Sequence, residues 1–433
     1  MESLIAANTN FSLDLFKKIS PIKKADNIFY SPLCISSALA MVYMGARGNT
    51  ATQMSKVLGF MKEKKPDLNP GLLQESLKVF FCTCLQSLHS HKADDDIHAL
   101  FGKLMSELNK EGAPYVLSLA NRLYGEQSYK FVEKYIMDTK KSYQAELETA
   151  DFISKAEDAR VKINSWVEKQ TKEKIKNLLS EGTVDNMTRL VLVNAIYFKG
   201  NWDKKFKEAD TKEVQFKLNK NESKPVQMMH QEAKFGFGFI PEVNCQILEM
   251  PYVGKELSML IILPQEIEDD STGLVRLETE LTYAKLIQWT QSDKMENRKV
   301  NVALPKFKME ETYDLKKILV SMGMEDAFDL SKSDFSGMSP NNELVVSKVV
   351  HKSFVEVNEE GTEATAATAA VMAVRSVNLP VMFIADHPFL FFIRHNPTQS
   401  ILFHGRFCSP CSTDSSFKPE SKQKKSVLQC HLF

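Results

Sequence analysis

Residues 359–374 read EEGTEATAATAAVMAV, and past Glu359 and Glu360 the run is small, nearly uncharged and free of proline. Alanine alone favours helix, but Thr362, Thr365, Thr368, Val371 and Val374 pull the other way. Read with a period of two, Thr362, Ala364, Ala366, Thr368 and Ala370 share one face, while Glu363, Thr365, Ala367 and Ala369 share the other. A segment that slips between two strands of an existing sheet needs small residues on its core side, no proline and no inward charge. This window meets all three demands. Taken alone, it also reads as an alanine-rich helix or a linker.

Outward from that window, the chain changes character between its halves. Helical periodicity marks residues 10–18, 33–44, 96–108, 133–145 and 156–179. Thr50 followed by Gln53 has the form of a capping box opening a short helix through Leu58. Strand patterns follow at 190–198, a near-continuous apolar run, and at 246–252 and 257–263, a hairpin joined through Gly254. Residues 300–304, 344–357, 389–394 and 400–407 add further strands. Helices early and strands late, without regular alternation, predict an α+β class. Residues 62–96 read as a surface insertion, and 411–433, rich in Ser and Lys without a periodic apolar face, as a disordered tail. A single folded unit is therefore expected over 1–410.

The composition bounds the function classes. The chain has 433 residues, 43% of them apolar, and 55 basic residues against 55 acidic ones. Such a balance gives no general attraction to nucleic acid or anionic membrane. No apolar run approaches the roughly 20 residues of a membrane-spanning helix, and the first 16 residues lack the basic start and apolar run of a signal peptide. Seven scattered cysteines fit reduced thiols in a cytosolic protein. The spacing of Cys82, Cys84, His89 and His91 matches no common zinc finger. Lys422, Lys424 and Lys425 read as a solvated charge cluster. Neither Gly-x-Ser-x-Gly nor His-Glu-x-x-His occurs, so an enzyme is not expected. No cofactor and no metal are expected either.

Several landmarks together resemble the serpin family. They are NIFYSP from Asn27, NAIYFKGNW from Asn194 to Trp202, VHK at 350–352, EEGTEA from Glu359 to Ala364, and ADHPFLFFI from Ala385. The resemblance covers residues 1–410 apart from 62–96, and is greatest to the ovalbumin-like intracellular branch that includes leukocyte elastase inhibitor. It implies the serpin fold, about nine helices around three β-sheets, with a reactive loop at 359–385 above a five-stranded central sheet. It also implies a monomer in the cytoplasm, with release from cells that uses no conventional signal peptide.

On the family pattern Ser31, Asn194 and His351 fall beneath the point where the central strands part, with Cys34 where relatives carry serine. Trp202 and the pair of Glu359 with Lys306 fall near the top of that opening. These residues are expected to gate the sheet, His351 by hydrogen bonding and not by catalysis or metal binding. The loop hinge comprises Glu359, Gly361, Thr362, Glu363, Ala364, Ala366 and Thr368. Counting from Gly361 in the family's register puts the scissile bond between Arg375 and Ser376. An arginine there suits a protease whose specificity pocket holds an aspartate. The expected partner is thus a trypsin-like serine protease, trapped covalently. The competing reading is a non-inhibitory serpin acting as substrate, store or chaperone; it predicts charge or bulk on the inward hinge face, which the window lacks.

Overall fold

The computed structural model describes residues 1–61, 97–291, 293–340, 343–362 and 380–410. Expectations for 62–96, for Glu363 to Leu379 and for 411–433 lie outside these residues, as do the bait pair Arg375 and Ser376. Among the described residues the chain forms nine α-helices, counting 97–108, and fifteen strands. The α+β expectation therefore stands.

The helices follow the apolar spacing, with boundaries moved by capping and tertiary contacts. Glu2–Ile19 is longer than expected and buries Leu4, Phe11, Leu15, Phe16 and Ile19 along one stripe. Pro32–Gly45 is buried almost all round, because it runs through the centre of the molecule. Ser31 caps it by accepting from the Cys34 amide at 3.3 Å, and Pro32 occupies the first turn, where its missing N–H costs nothing.

Two helix readings are corrected. The helix Gly48–Val57 starts after Arg47, so Thr50 and Gln53 lie inside it and form no capping box. They serve tertiary contacts: Thr50 Oγ1 accepts from the Asp334 amide, and Gln53 Oε1 from the amides of Glu325 and Asp326. The helix expected at 156–179 spans Phe152–Gln170 instead. Asp151 caps its start, and left-handed Lys172 and Glu173 end it.

Two ladders organise the strands. A nine-stranded sheet carries the core strands Leu257–Pro264, Phe389–His395 and Ser400–Phe407, every residue of which is buried. Each buried Phe there contributes roughly 1.5–3 kcal/mol of burial free energy. Three sheets were expected, and two of them are fused: Ser223–Ile240 pairs with Lys212–Lys217 and Glu296–Pro305, then bends to pair with Cys245–Pro251.

The second ladder is the central sheet. Its order is Phe307–Asp314, Val346–Asn358, Gly361–Thr362, Leu190–Asn201, Tyr115–Glu126 and Leu147–Ala150. Five full strands are joined by a sixth of two residues. The outer face is covered by Phe152–Gln170, whose Ala159, Ile163 and Val167 pack with Val191, Val193, Val350 and Phe354 from both sides of the sheet's centre. Among the described residues no helix is long and apolar enough to cross a membrane.

Candidate functional site at the seam of the central sheet

The two central strands run parallel, a pairing that a connection of well over a hundred residues makes possible. Val346–Asn358 and Leu190–Asn201 pair from Val346 opposite Leu190 up to Phe354 opposite Tyr197. Above that point they separate. Gly361 and Thr362 fill the opening, antiparallel to both neighbours: Gly361 faces Asn358 and Asn201, and Thr362 faces Val357 and Gly200. The chain thus turns back on itself and enters the seam between its own strands.

Below the opening, Ser31, Asn194 and His351 meet in a buried polar cluster. His351 and Asn194 are register partners across the seam, and the His351 Nδ1–H donates to Asn194 Oδ1 at 2.5 Å. His351 Nε2 accepts from the Ser31 amide at 3.1 Å, which fixes this tautomer. The Ser31 hydroxyl donates to the Leu402 carbonyl at 2.6 Å, tying the seam to the nine-stranded sheet. Burial lowers the His351 pKa to about 3, so the ring is neutral at physiological pH.

Cys34 joins this cluster chiefly through its backbone. Its carbonyl accepts from Asn194 Nδ2 at 3.3 Å and from the Ser37 hydroxyl at 3.0 Å. Burial pushes its thiol pKa up to about 12, so it is not a reactive thiolate.

At the top, the turn into the seam is anchored residue by residue. Trp202 Nε1 donates to the Asn358 carbonyl at 3.0 Å, and its ring stacks on Tyr252 with centroids 4.6 Å apart. The Trp202 and Phe206 amides donate to the carbonyls of Glu360 and Glu359 at 2.8 and 2.9 Å. The Glu359 carboxylate accepts from Lys306 Nζ at 3.0 Å and Thr211 Oγ1 at 2.9 Å, and Glu360 pairs with Lys205. Burial raises the Glu359 pKa, but the Lys306 and Thr211 bonds outweigh it and hold the group below its usual value. Gly361 has φ of +139°, and a Cβ there would lie 2.3 Å from the Gly200 carbonyl oxygen. Only glycine fits.

Ser31, Cys34, Asn194, Trp202, Lys306 and His351, which were expected to gate the sheet, all lie in this assembly. Of the hinge, Glu359, Gly361 and the backbone of Thr362 are placed; Glu363, Ala364, Ala366 and Thr368 lie outside the described residues. Asn358, Thr211, Lys205 and Tyr252 were missed. Of these, only Asn358 adjoins a named motif; the others meet the site through sheet pairing and the loop at 202–211. Among the described residues no cluster of His, Cys, Asp or Glu is arranged to hold a metal ion.

The central sheet is thus parted at one end by its own chain and joined below by a buried polar cluster. The chain belongs to the serpin family: the Serpin (serine protease inhibitor) family matches residues 6–410. It is 50% identical over 410 residues to leukocyte elastase inhibitor of Equus caballus, covering 95% of this chain and all of that protein. It is also 50% identical over 410 residues to serpin B6 of Macaca fascicularis, with the same coverage. Among solved structures it resembles uncleaved ovalbumin, with TM-score 0.79 and 38% identity over 94% of this chain and all of ovalbumin. Maspin is similar, at TM-score 0.80 and 37% identity over 94% of this chain and 99% of maspin.

Proposed function

We propose that this serpin is a suicide inhibitor of trypsin-like serine proteases, cleaved between Arg375 and Ser376. The observation that carries this reading is the pairing of Gly361 and Thr362 with both central strands, since strand entry has already begun at the loop's first residues. The protease serine attacks the Arg375 carbonyl and forms an acyl-enzyme. The cut loop then continues into the seam from Gly361, a strand addition for which serpins are the type example, and carries the protease with it. About fourteen inserted residues at roughly 0.5–1.5 kcal/mol per backbone hydrogen bond supply on the order of 10 kcal/mol. Displacing one oxyanion-hole donor costs a protease about 3–4 kcal/mol. The driving force is ample.

Arg375 sets the target class. Relatives named for elastase inhibition suggest an elastase-type protease, but a guanidinium at the bait needs a carboxylate once it is desolvated. Elastase is then a secondary target. The same reading makes the protein an inhibitor and not an enzyme, monomeric and cytoplasmic, in keeping with buried Cys34, Cys245 and Cys408 as free thiols.

Incubation with an equal concentration of trypsin, followed by a denaturing gel and mass spectrometry of released peptide, tests both target and register. A covalent complex with a peptide starting at Ser376 is expected. Cleavage after Arg375 without complex would make the protein a substrate-like serpin.

A further inference from the structure

The strand that receives the chain after the bait borders a cleft with no part in the trapping step. Among the described residues Val381–Ile384 pairs only with Glu296–Pro305 and forms an edge of the nine-stranded sheet. Its side chains alternate, with Phe383 buried and Met382 and Ile384 exposed at 49% and 41%. Together with Leu263 and Ile267, the two exposed residues line a cleft of about 630 Å³. A second cleft of about 260 Å³ adjoins it, and Pro264 and Glu266 line both. An edge strand that shows apolar side chains beside an open cleft is a surface for a partner.

The charges around the clefts say what kind. Lys217 pairs with Asp386, Lys220 with Asp270, and Arg276 with Glu268, at 3.6, 3.2 and 3.8 Å. Glu266 and Asp269 have no cationic partner among the described residues; Asp269 accepts only from the Ser271 side chain and the amides of Ser271, Gly273 and Val275. The rim therefore keeps an acidic surplus, which favours a basic surface and speeds its arrival.

Chain length identifies the visitor. Only three residues of chain separate Ser376 from Pro380, so the chain can carry the bait bond no farther than about 18 Å from Val381, the first residue of this edge strand. A protease domain of roughly 230 residues has a radius of gyration of about 17 Å. Such a domain, held at that bond, is large enough to span the chain between the bond and the strand.

We propose that the cleft between Val381–Ile384 and residues 264–270 is a second docking surface for the target protease, selecting trypsin-like proteases that carry lysine and arginine beside their primed subsites. The proposal rests on the reading of Arg375 and Ser376 as bait. Association rates of wild type, Glu266→Lys and Met382→Ser test it with two proteases: trypsin, and thrombin as a trypsin-like protease with a basic rim. Glu266→Lys is expected to slow thrombin about tenfold and to flatten its salt dependence, leaving trypsin within about twofold. Met382→Ser is expected to slow thrombin without changing the salt dependence. The stoichiometry of inhibition should not move, because insertion follows docking. Variants that leave the thrombin rate unchanged, or that slow both proteases equally, overturn the docking surface while the bait reading stands. If wild type forms covalent complexes with neither protease, the bait reading falls first and the docking surface with it.

Discussion

His351 and Asn194 face each other across the seam as backbone register partners, and their side chains are hydrogen-bonded at 2.5 Å. One residue pair thus belongs to the ladder twice. Any strand that enters from above must part this pair last among the upper contacts, since the opening starts three residues higher, beyond Phe354 and Tyr197. Under the proposed mechanism, the cluster is the stop that holds the sheet closed until enough inserted hydrogen bonds accumulate.

This neutral histidine makes stability depend on pH. The folded pKa of His351 is lowered from 6.5 to about 3, as is that of His404. Between those values the unfolded chain binds more protons, so stability is full above pH 6.5 and falls as pH drops toward 3. Each histidine adds up to about 1.4 kcal/mol per pH unit to that slope. His351→Gln should flatten the acid limb of the stability curve by about one proton, measured by guanidinium unfolding from pH 7 to 4. An unchanged slope would mean that His351 is already charged in the folded protein.

Gly361 is the residue whose replacement should separate folding from insertion. An added Cβ meets the Gly200 carbonyl oxygen at 2.3 Å and the Trp202 amide nitrogen at 2.7 Å. Backbone of the adjoining strand cannot yield, so Gly361→Ala must push the hinge out of the seam. The body of the protein should fold, with a loss of at least about 1–3 kcal/mol from the strained backbone. Insertion should be delayed enough that cleaved, uncomplexed inhibitor accumulates, raising the number of inhibitor molecules consumed per protease inactivated.

Trp202 offers a test of the hinge anchor. Its indole N–H is bonded to the Asn358 carbonyl at the residue where the strand ends and the turn begins. Trp202→Phe keeps an aromatic ring against Tyr252 but removes that donor, leaving a buried carbonyl without it. A cost of about 1–3 kcal/mol is expected, read as a lower guanidinium midpoint with an unchanged slope. A change in slope would indicate instead that the turn had left the seam altogether.

How much of this was legible in the sequence depends on the range of the interaction that decides each feature. The apolar runs 389–394 and 400–407 declared buried strands because every position faces protein. Tyr115–Glu126 carries Ser118, Asn121 and Arg122 among its apolar residues, and this mixture hid a twelve-residue central strand. Arg122 is accommodated by stacking on Trp166 at 4.2 Å and pairing with Glu148 at 2.5 Å, partners distant in sequence. Thr50 and Gln53 mimicked a local cap, yet serve residues more than 270 positions away. For the site, the motif residues His351, Asn194 and Glu359 were readable, whereas Thr211 and Lys205 owe their roles to folding of the 202–211 loop against the turn.

The bait assignment rests on register, and its sharpest test changes only Arg375. Arg375→Ala removes the one basic side chain between Glu359 and Pro380, leaving the hinge and seam contacts intact. Unfolding midpoints should therefore match wild type to within about 0.5 kcal/mol, as for substitutions away from the core. Trypsin should lose its complex by a factor of at least about a hundred, because its buried carboxylate is left unpaired. A protease with a small apolar pocket should gain the ability to form a complex at the same bond. If trypsin still forms the complex with this variant, the bait lies at another residue, and the register counted from Gly361 is wrong.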